Sequence, residues 1–166
     1  MAQTALKGNP VKTSGELPKN GSKAPAFSLV KSDLSSLSLS DLKGKKLILN
    51  IFPSLDTSVC ATSVRKFNKM AAGMKNVQVL AISKDLPFAH GRFCSTEGIE
   101  NVVTLSGFRD ENFGKAYGIL MVDGPLSGLY ARSVVAVDES GNVLYSQLVP
   151  EITTEPDYDS ALKAIE

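Results

Sequence analysis

The chain has 166 residues, 43% of them hydrophobic, which fits one ordinary domain with a core that needs no disulfide staples. Lys and Arg number 18 against 17 Asp and Glu, a formal net charge of +1 that excludes any global attraction to nucleic acid or to an anionic membrane surface. The basic runs KGKK (43–46) and RK (65–66) read as solvated surface, and no apolar run reaches the length of a membrane span.

The opening residues, MAQTALKGNPVKTSGELPKNGSKAP, contain no continuous apolar stretch backed by a small-residue cleavage pattern, so the expectation is an unexported, cytoplasmic protein. An NGS at 20–22 matches a glycosylation sequon that has no meaning without secretion. In a reducing compartment the two cysteines, Cys60 and Cys94, read as reactive groups or packed core residues before they read as a structural bridge. Gly8, Pro10, Gly15, Pro18, Gly21 and Pro25 punctuate residues 7–25 and favour short strands and turns. Residues 1–25 are therefore expected to form an N-terminal hairpin extension on a single domain spanning 1–166. Residues 34–46 are Ser-rich and short, and read as a connection.

KLILNIF (46–52) is a nearly unbroken apolar run ended by Pro53, as in a strand covered on both faces. Val64, Phe67, Ala71 and Met74 then recur at steps of three and four, the stripe of a half-buried helix that starts near residues 56–58. VQVLAIS (77–83) returns to strand composition. DLPFAHGRFCSTEG (85–98) predicts a second helix, with Asp85 near its start and Gly98 past its end. A strand at 101–107, a short helix at 110–118, two strands within 132–149 joined by a turn at ESGN, and a helix at 155–165 complete the chain. Strands alternating with helices indicate βαβ crossovers: an α/β fold with a central sheet, helices on both faces and an antiparallel hairpin at one edge.

Cys60 falls in the first turn of the helix that follows Pro53, near unpaired backbone N–H groups and the positive end of the helix dipole, where a thiolate is favoured over a thiol. A free cysteine has a pKa of about 8.5, and helix N-termini and nearby cations lower that value. Thr57, three residues earlier, brings its hydroxyl round towards the sulfur, able to donate and to accept. Pro53 fixes the end of the strand and makes a rigid collar. The competing reading takes Thr57 as a plain helix cap and Cys60 as a small core residue.

Cys94 lies 34 positions further on, and the CATS run has Ser63 where a dithiol oxidoreductase would need its second cysteine. A distant second cysteine suits a resolving role, attacking a sulfenic acid on Cys60 to form an internal disulfide. A disulfide needs the two Cα atoms within about 7 Å, so cysteines on separate helices imply local unwinding in the oxidised form. A buried helix residue beside Phe93 is the alternative for Cys94. His90, the sole histidine, reads as a surface residue, which leaves a Cys-His or Ser-His hydrolase unsupported. Cys60, His90 and Cys94 would need a carboxylate to complete a zinc site, and neither a Gly-rich phosphate loop nor an HExxH motif is present, so no metal or cofactor is expected.

PSLDTSVC (53–60) fits the PxxxTxxC signature of the peroxiredoxins. With FPSLDTSVCATSVRKFN, DLPFAHGRFC, GPLSGLYARSVV and SQLVPEITTEPDYDSAL, the chain resembles the bacterial thiol peroxidase subfamily, of the atypical two-cysteine type, from about Lys7 to its end. The resemblance implies a thioredoxin-like fold with an N-terminal hairpin, assembled as a homodimer. It makes Cys60 the peroxidatic nucleophile, Cys94 the resolving cysteine, Thr57 the hydroxyl that orients thiolate and peroxide, and Pro53 the shield of the pocket. Arg132, in ARS, corresponds to the arginine that polarises the peroxide, a role the residues alone did not single out from the other arginines.

The activity so implied is reduction of organic hydroperoxides, in preference to hydrogen peroxide, with an apolar entrance beside the catalytic loop and thioredoxin as reductant. Glutathione-peroxidase-like enzymes use a tryptophan that this chain lacks. A peroxide sensor relaying oxidation to a partner protein would use the same two cysteines, and an inert binding domain would use neither.

Overall fold

The computed structural model describes every residue from Met1 to Glu166. Strands β1 (Gln3–Leu6) and β2 (Asn9–Lys12) pair as an antiparallel hairpin. Their two-residue turn puts Lys7 at φ 50° and Gly8 at φ 83°, the doubly positive geometry that matches strand twist in tight hairpins. The hairpin thus occupies the first twelve residues, ahead of most of the Gly/Pro punctuation expected to hold it.

Next come β3 (Ser28–Lys31), β4 (Ser36–Ser38), a 3-10 turn at Leu39–Leu42 and β5 (Lys46–Ile51). Helix α1 (Ser58–Ala71), β6 (Val77–Ser83), α2 (Pro87–Glu97) and β7 (Val102–Ser106) follow. A short α3 (Phe113–Ala116), β8 (Ser133–Val137), β9 (Val143–Leu148) and α4 (Tyr158–Ala164) close the chain. Residues 34–46, expected as a bare connection, hold the edge strand β4, which three residues and a Ser-rich composition hide from a periodicity reading.

Seven strands form one mixed sheet in the order β4-β3-β7-β6-β5-β8-β9. β5, β6 and β7 run parallel through crossovers that carry α1 and α2, and β8 and β9 pair antiparallel at one edge. This is the thioredoxin-like arrangement, with helices on both faces. Alternation along the central strand sorts the core: Leu47, Leu49 and Ile51 enter one cluster with Phe113 and Tyr130, while Ile48 and Phe52 enter the other with Val64 and Phe67 of α1 and Ala161 of α4. Phe67 meets Tyr158 edge-on at 5.0 Å between ring centroids, joining α1 to α4. No helix is long and apolar enough to cross a membrane.

The hairpin braces the segment that follows β9. Glu151 accepts from Lys7 N (2.7 Å) and Gly8 N (3.1 Å), Thr4 Oγ1 donates to Val149 O (2.7 Å), and Ile152 N donates to Ala5 O (2.8 Å). Residues 149–152 are thereby clamped beside the start of β8.

Candidate active site

Beyond β5 the chain runs through Phe52 and Pro53, both buried, and turns into α1 with Thr57 as the N-cap residue. Cys60 is the third residue of that helix, so its N–H is among the four that a helix leaves unpaired at its start. Its side chain is fully buried. Ser63 Oγ donates to the Cys60 carbonyl at 2.8 Å and accepts from Asn50 Nδ2 at 3.1 Å, tying the first turn to the central strand.

Arg132 stands immediately before β8 and is 1% exposed. Its Nη2 donates to Cys60 Sγ at 3.0 Å and its Nε to Ile152 O at 2.7 Å, the carbonyl of a residue whose N–H donates to Ala5 O of the N-terminal hairpin. The guanidinium therefore sets a fixed positive charge against the sulfur in a dry pocket, the setting in which such a charge acts most strongly. Its Nη1 is buried without a protein partner, a donor left available beside the sulfur.

Thr57 is exposed, and its hydroxyl donates to Ser54 O at 3.0 Å, closing the loop on itself. Cys94 lies elsewhere, in the last turns of α2, half-buried and packed against the same cluster that holds Cys60. Burial pushes its thiol pKa up, with the Thr104 hydroxyl working in the opposite direction. Both cysteines are free thiols. The structure thus brings Cys60 and Arg132 into contact, leaves Pro53 and Thr57 in the loop that leads into α1 with the Thr57 hydroxyl turned to Ser54 O and not to the sulfur, and puts Cys94 on a separate helix.

One expectation changes. His90 is not a surface residue: it is fully buried, with Nε2 at 2.8 Å from Ser83 Oγ and Nδ1 without a partner. Burial holds its pKa down at about 4, against a smaller opposing pull from Asp85. Asp85 stands near the start of α2 as expected, two residues ahead of Pro87. Leu86 fills the N-cap position with Pro87 at N1, and the Asp85 carboxylate reaches the loop before Cys60, accepting from Ser54 Oγ and Leu55 N, each at 2.8 Å. Sequence reading missed this contact because Asp before a Pro-initiated helix looks like an ordinary cap.

Two clefts flank the loop. One, of about 150 Å³, is lined by Leu55, Ala89 and Phe93 together with Asp56, Arg92 and Glu97. The other is lined by Ser58, Val59, Thr62, Thr153, Thr154 and Glu155. The apolar side chains beside the loop are therefore concentrated towards α2.

The sequence profile of the Redoxin family matches residues 19–162. The chain is 59% identical over 165 residues to a thiol peroxidase of Corynebacterium glutamicum and 54% identical over 165 residues to one of Mycobacterium bovis, covering 99% of each chain in both cases. Among solved structures it is similar to a peroxiredoxin-like protein from Aquifex aeolicus, at 44% identity and a TM-score of 0.92, over 99% of this chain and 96% of that one.

Proposed function

The chain belongs to the Redoxin family, as a peroxiredoxin of the thiol peroxidase subfamily, and from that premise we propose that it reduces organic hydroperoxides and hydrogen peroxide through Cys60. The observation that carries this reading is the buried Arg132 guanidinium donating to Cys60 Sγ at 3.0 Å in the first turn of α1. The Cys60 thiolate attacks the terminal peroxide oxygen in line. The O–O bond breaks, Cys60 becomes a sulfenic acid, and the alkoxide or hydroxide leaves to take up a proton. Arg132, the α1 N–H groups and Thr57 stabilise the charge as it moves, and Pro53 shields the sulfur.

Cys94 then attacks the sulfenic sulfur, releasing water and forming an internal disulfide that thioredoxin reduces by thiol exchange. A Cys94 thiol pushed towards its protonated form supports this division of labour, since it competes poorly for peroxide. We take residues 1–166 as one domain acting in the cytoplasm as a homodimer; the exposed Phe88 and Phe108 offer apolar surface for the second copy.

The test is a free-thiol titration with intact mass before and after one equivalent of cumene hydroperoxide. Loss of both thiols with a decrease of two hydrogens in the monomer is expected, and retention of both would remove the basis for peroxidase chemistry. Cys60→Ser should abolish turnover, while Cys94→Ser should keep the first oxidation and lose thioredoxin-coupled recycling.

A further inference from the structure

Asp85 lies where four segments meet. Its carboxylate accepts from Ser54 Oγ (2.8 Å) and Leu55 N (2.8 Å) of the loop before Cys60, and from Ser83 Oγ (2.6 Å) at the end of β6. Its own carbonyl accepts from Ser106 Oγ at the end of β7 at 2.5 Å. Ser54 Oγ in turn accepts from Asp56 N at 3.1 Å, and Ser54 O accepts from Thr57 N at 3.2 Å, so the hold passes along the loop to the α1 N-cap.

The other side of this network reaches α2. A serine hydroxyl has one proton and two lone pairs. Ser83 gives its proton to Asp85, accepts from Asp85 N (3.2 Å) and so can only accept from His90 Nε2 (2.8 Å). His90 therefore carries its proton on Nε2, and its buried Nδ1 is a bare acceptor. His90 precedes Cys94 by four residues, one turn along the same helix. A continuous hydrogen-bonded path thus runs from the Cys60 loop through Asp85, Ser83 and His90 to the helix that carries Cys94.

We propose that Asp85 is a positioning residue for the resolving step, a latch that holds the Cys60 loop and the Cys94 helix in their reduced arrangement and must release before the two sulfurs meet. The inference rests on the reading of Cys94 as the resolving cysteine. The latch favours the first step, because it keeps the loop closed over Cys60, and opposes the second. It therefore sets how long the sulfenic acid persists, and so how much is lost to a second peroxide as sulfinic acid.

Reduced full-length protein, Asp85→Ala and Ser54→Ala would each be mixed with one equivalent of cumene hydroperoxide, quenched at intervals with N-ethylmaleimide and weighed intact. Each time course yields one rate constant for loss of the Cys60 thiol and one for disulfide formation. Asp85→Ala should raise the second at least fivefold, lower the first and leave less sulfinic acid under excess peroxide. Ser54→Ala, which removes one arm of the latch from a half-buried loop position, should move all three in the same direction by less. Asn68→Ala cuts a different tie, from α1 to Asn101 in the connection after α2, and should change neither constant. A generally loosened protein would slow both steps. Disulfide formation within twofold of the unmodified protein in both Asp85→Ala and Ser54→Ala overturns the latch alone; absence of any Cys60–Cys94 disulfide in the unmodified protein overturns the resolving role and the latch with it.

Discussion

Cys60 and Cys94 are the same residue in helices held by different forces. Helix α1 buries Cys60, Ala61, Ser63, Val64, Phe67 and Ala71 against the sheet, whereas α2 buries only Pro87 and His90. The first cysteine sits in a wall of packed side chains with a cation fixed on its sulfur. The second sits half-buried on a helix that packs Phe93 and Cys94 against that core and is stopped by Gly98, whose left-handed φ of 64° lets its N–H return to Cys94 O. Packing makes a reaction centre rigid, and a thinly buried helix can unwind by a turn without disturbing the core.

The contrast can be attacked most strongly at the pocket. Replacing Arg132 by Met removes the cation but keeps most of the volume, and should slow oxidation of the Cys60 thiol by roughly 10²- to 10³-fold, as loss of a preorganised charge-stabilising donor does elsewhere. Competition for a limiting hydroperoxide against a reference peroxidase would measure it; an unchanged rate constant would mean that the 3.0 Å contact has no catalytic weight.

Acid should act on α2. His90 has a pKa of about 4 when folded against an ordinary 6.5, so below 6.5 the unfolded chain takes up a proton that the folded protein refuses. Stability is therefore greatest above that range and falls as the pH drops towards 4, by about 3 kcal/mol from this group. The charged group facing it is Asp85, with Oδ2 at 3.9 Å from Nε2. Urea denaturation of the unmodified protein and of His90→Gln at several pH values isolates the contribution, which should vanish in the variant. Amide exchange should quicken in α2 before α1.

Smaller effects belong to the braces. Ser63→Ala leaves the buried Asn50 amide without its acceptor and frees the Cys60 carbonyl, at a cost of about 2 kcal/mol in equilibrium unfolding. Glu97→Gln, which breaks an exposed pair with Arg65, should leave the denaturation midpoint where it was. A marked shift there would mean that α2 is held by its surface ion pair and not by the Asp85 network.

Much of this was legible in the chain. The apolar run at 46–52, the stripe through Val64, Phe67 and Ala71, and the turn around Gly141 report local periodicity and backbone preference, which sequence carries directly. Met74 belonged to the stripe but not to the helix, which ends at Ala71, because packing continues past the last hydrogen-bonded turn. Arg132 could be picked out only by resemblance, since its meaning comes from a sulfur 72 residues away. His90 was misplaced and the reach of Asp85 to the Cys60 loop was missed for the same reason: burial and cross-loop hydrogen bonds are tertiary facts with no local signature.

The guanidinium of Arg132 is buried. Its Nε is satisfied by a neutral carbonyl, and the carboxylate whose field it shares, Glu155, stands at the rim. On the proposed chemistry the nearest group able to balance the guanidinium is the thiolate form of Cys60, whose sulfur is 3.0 Å from Nη2, and oxidation would replace that anion with an uncharged sulfenic acid. A cation stranded in a dry pocket is costly, and residues 149–152 do not let it retreat. On that chemistry the closed pocket is matched to the reactant and mismatched to its own product, so each turnover would raise the energy of the closed state and tilt the protein towards opening.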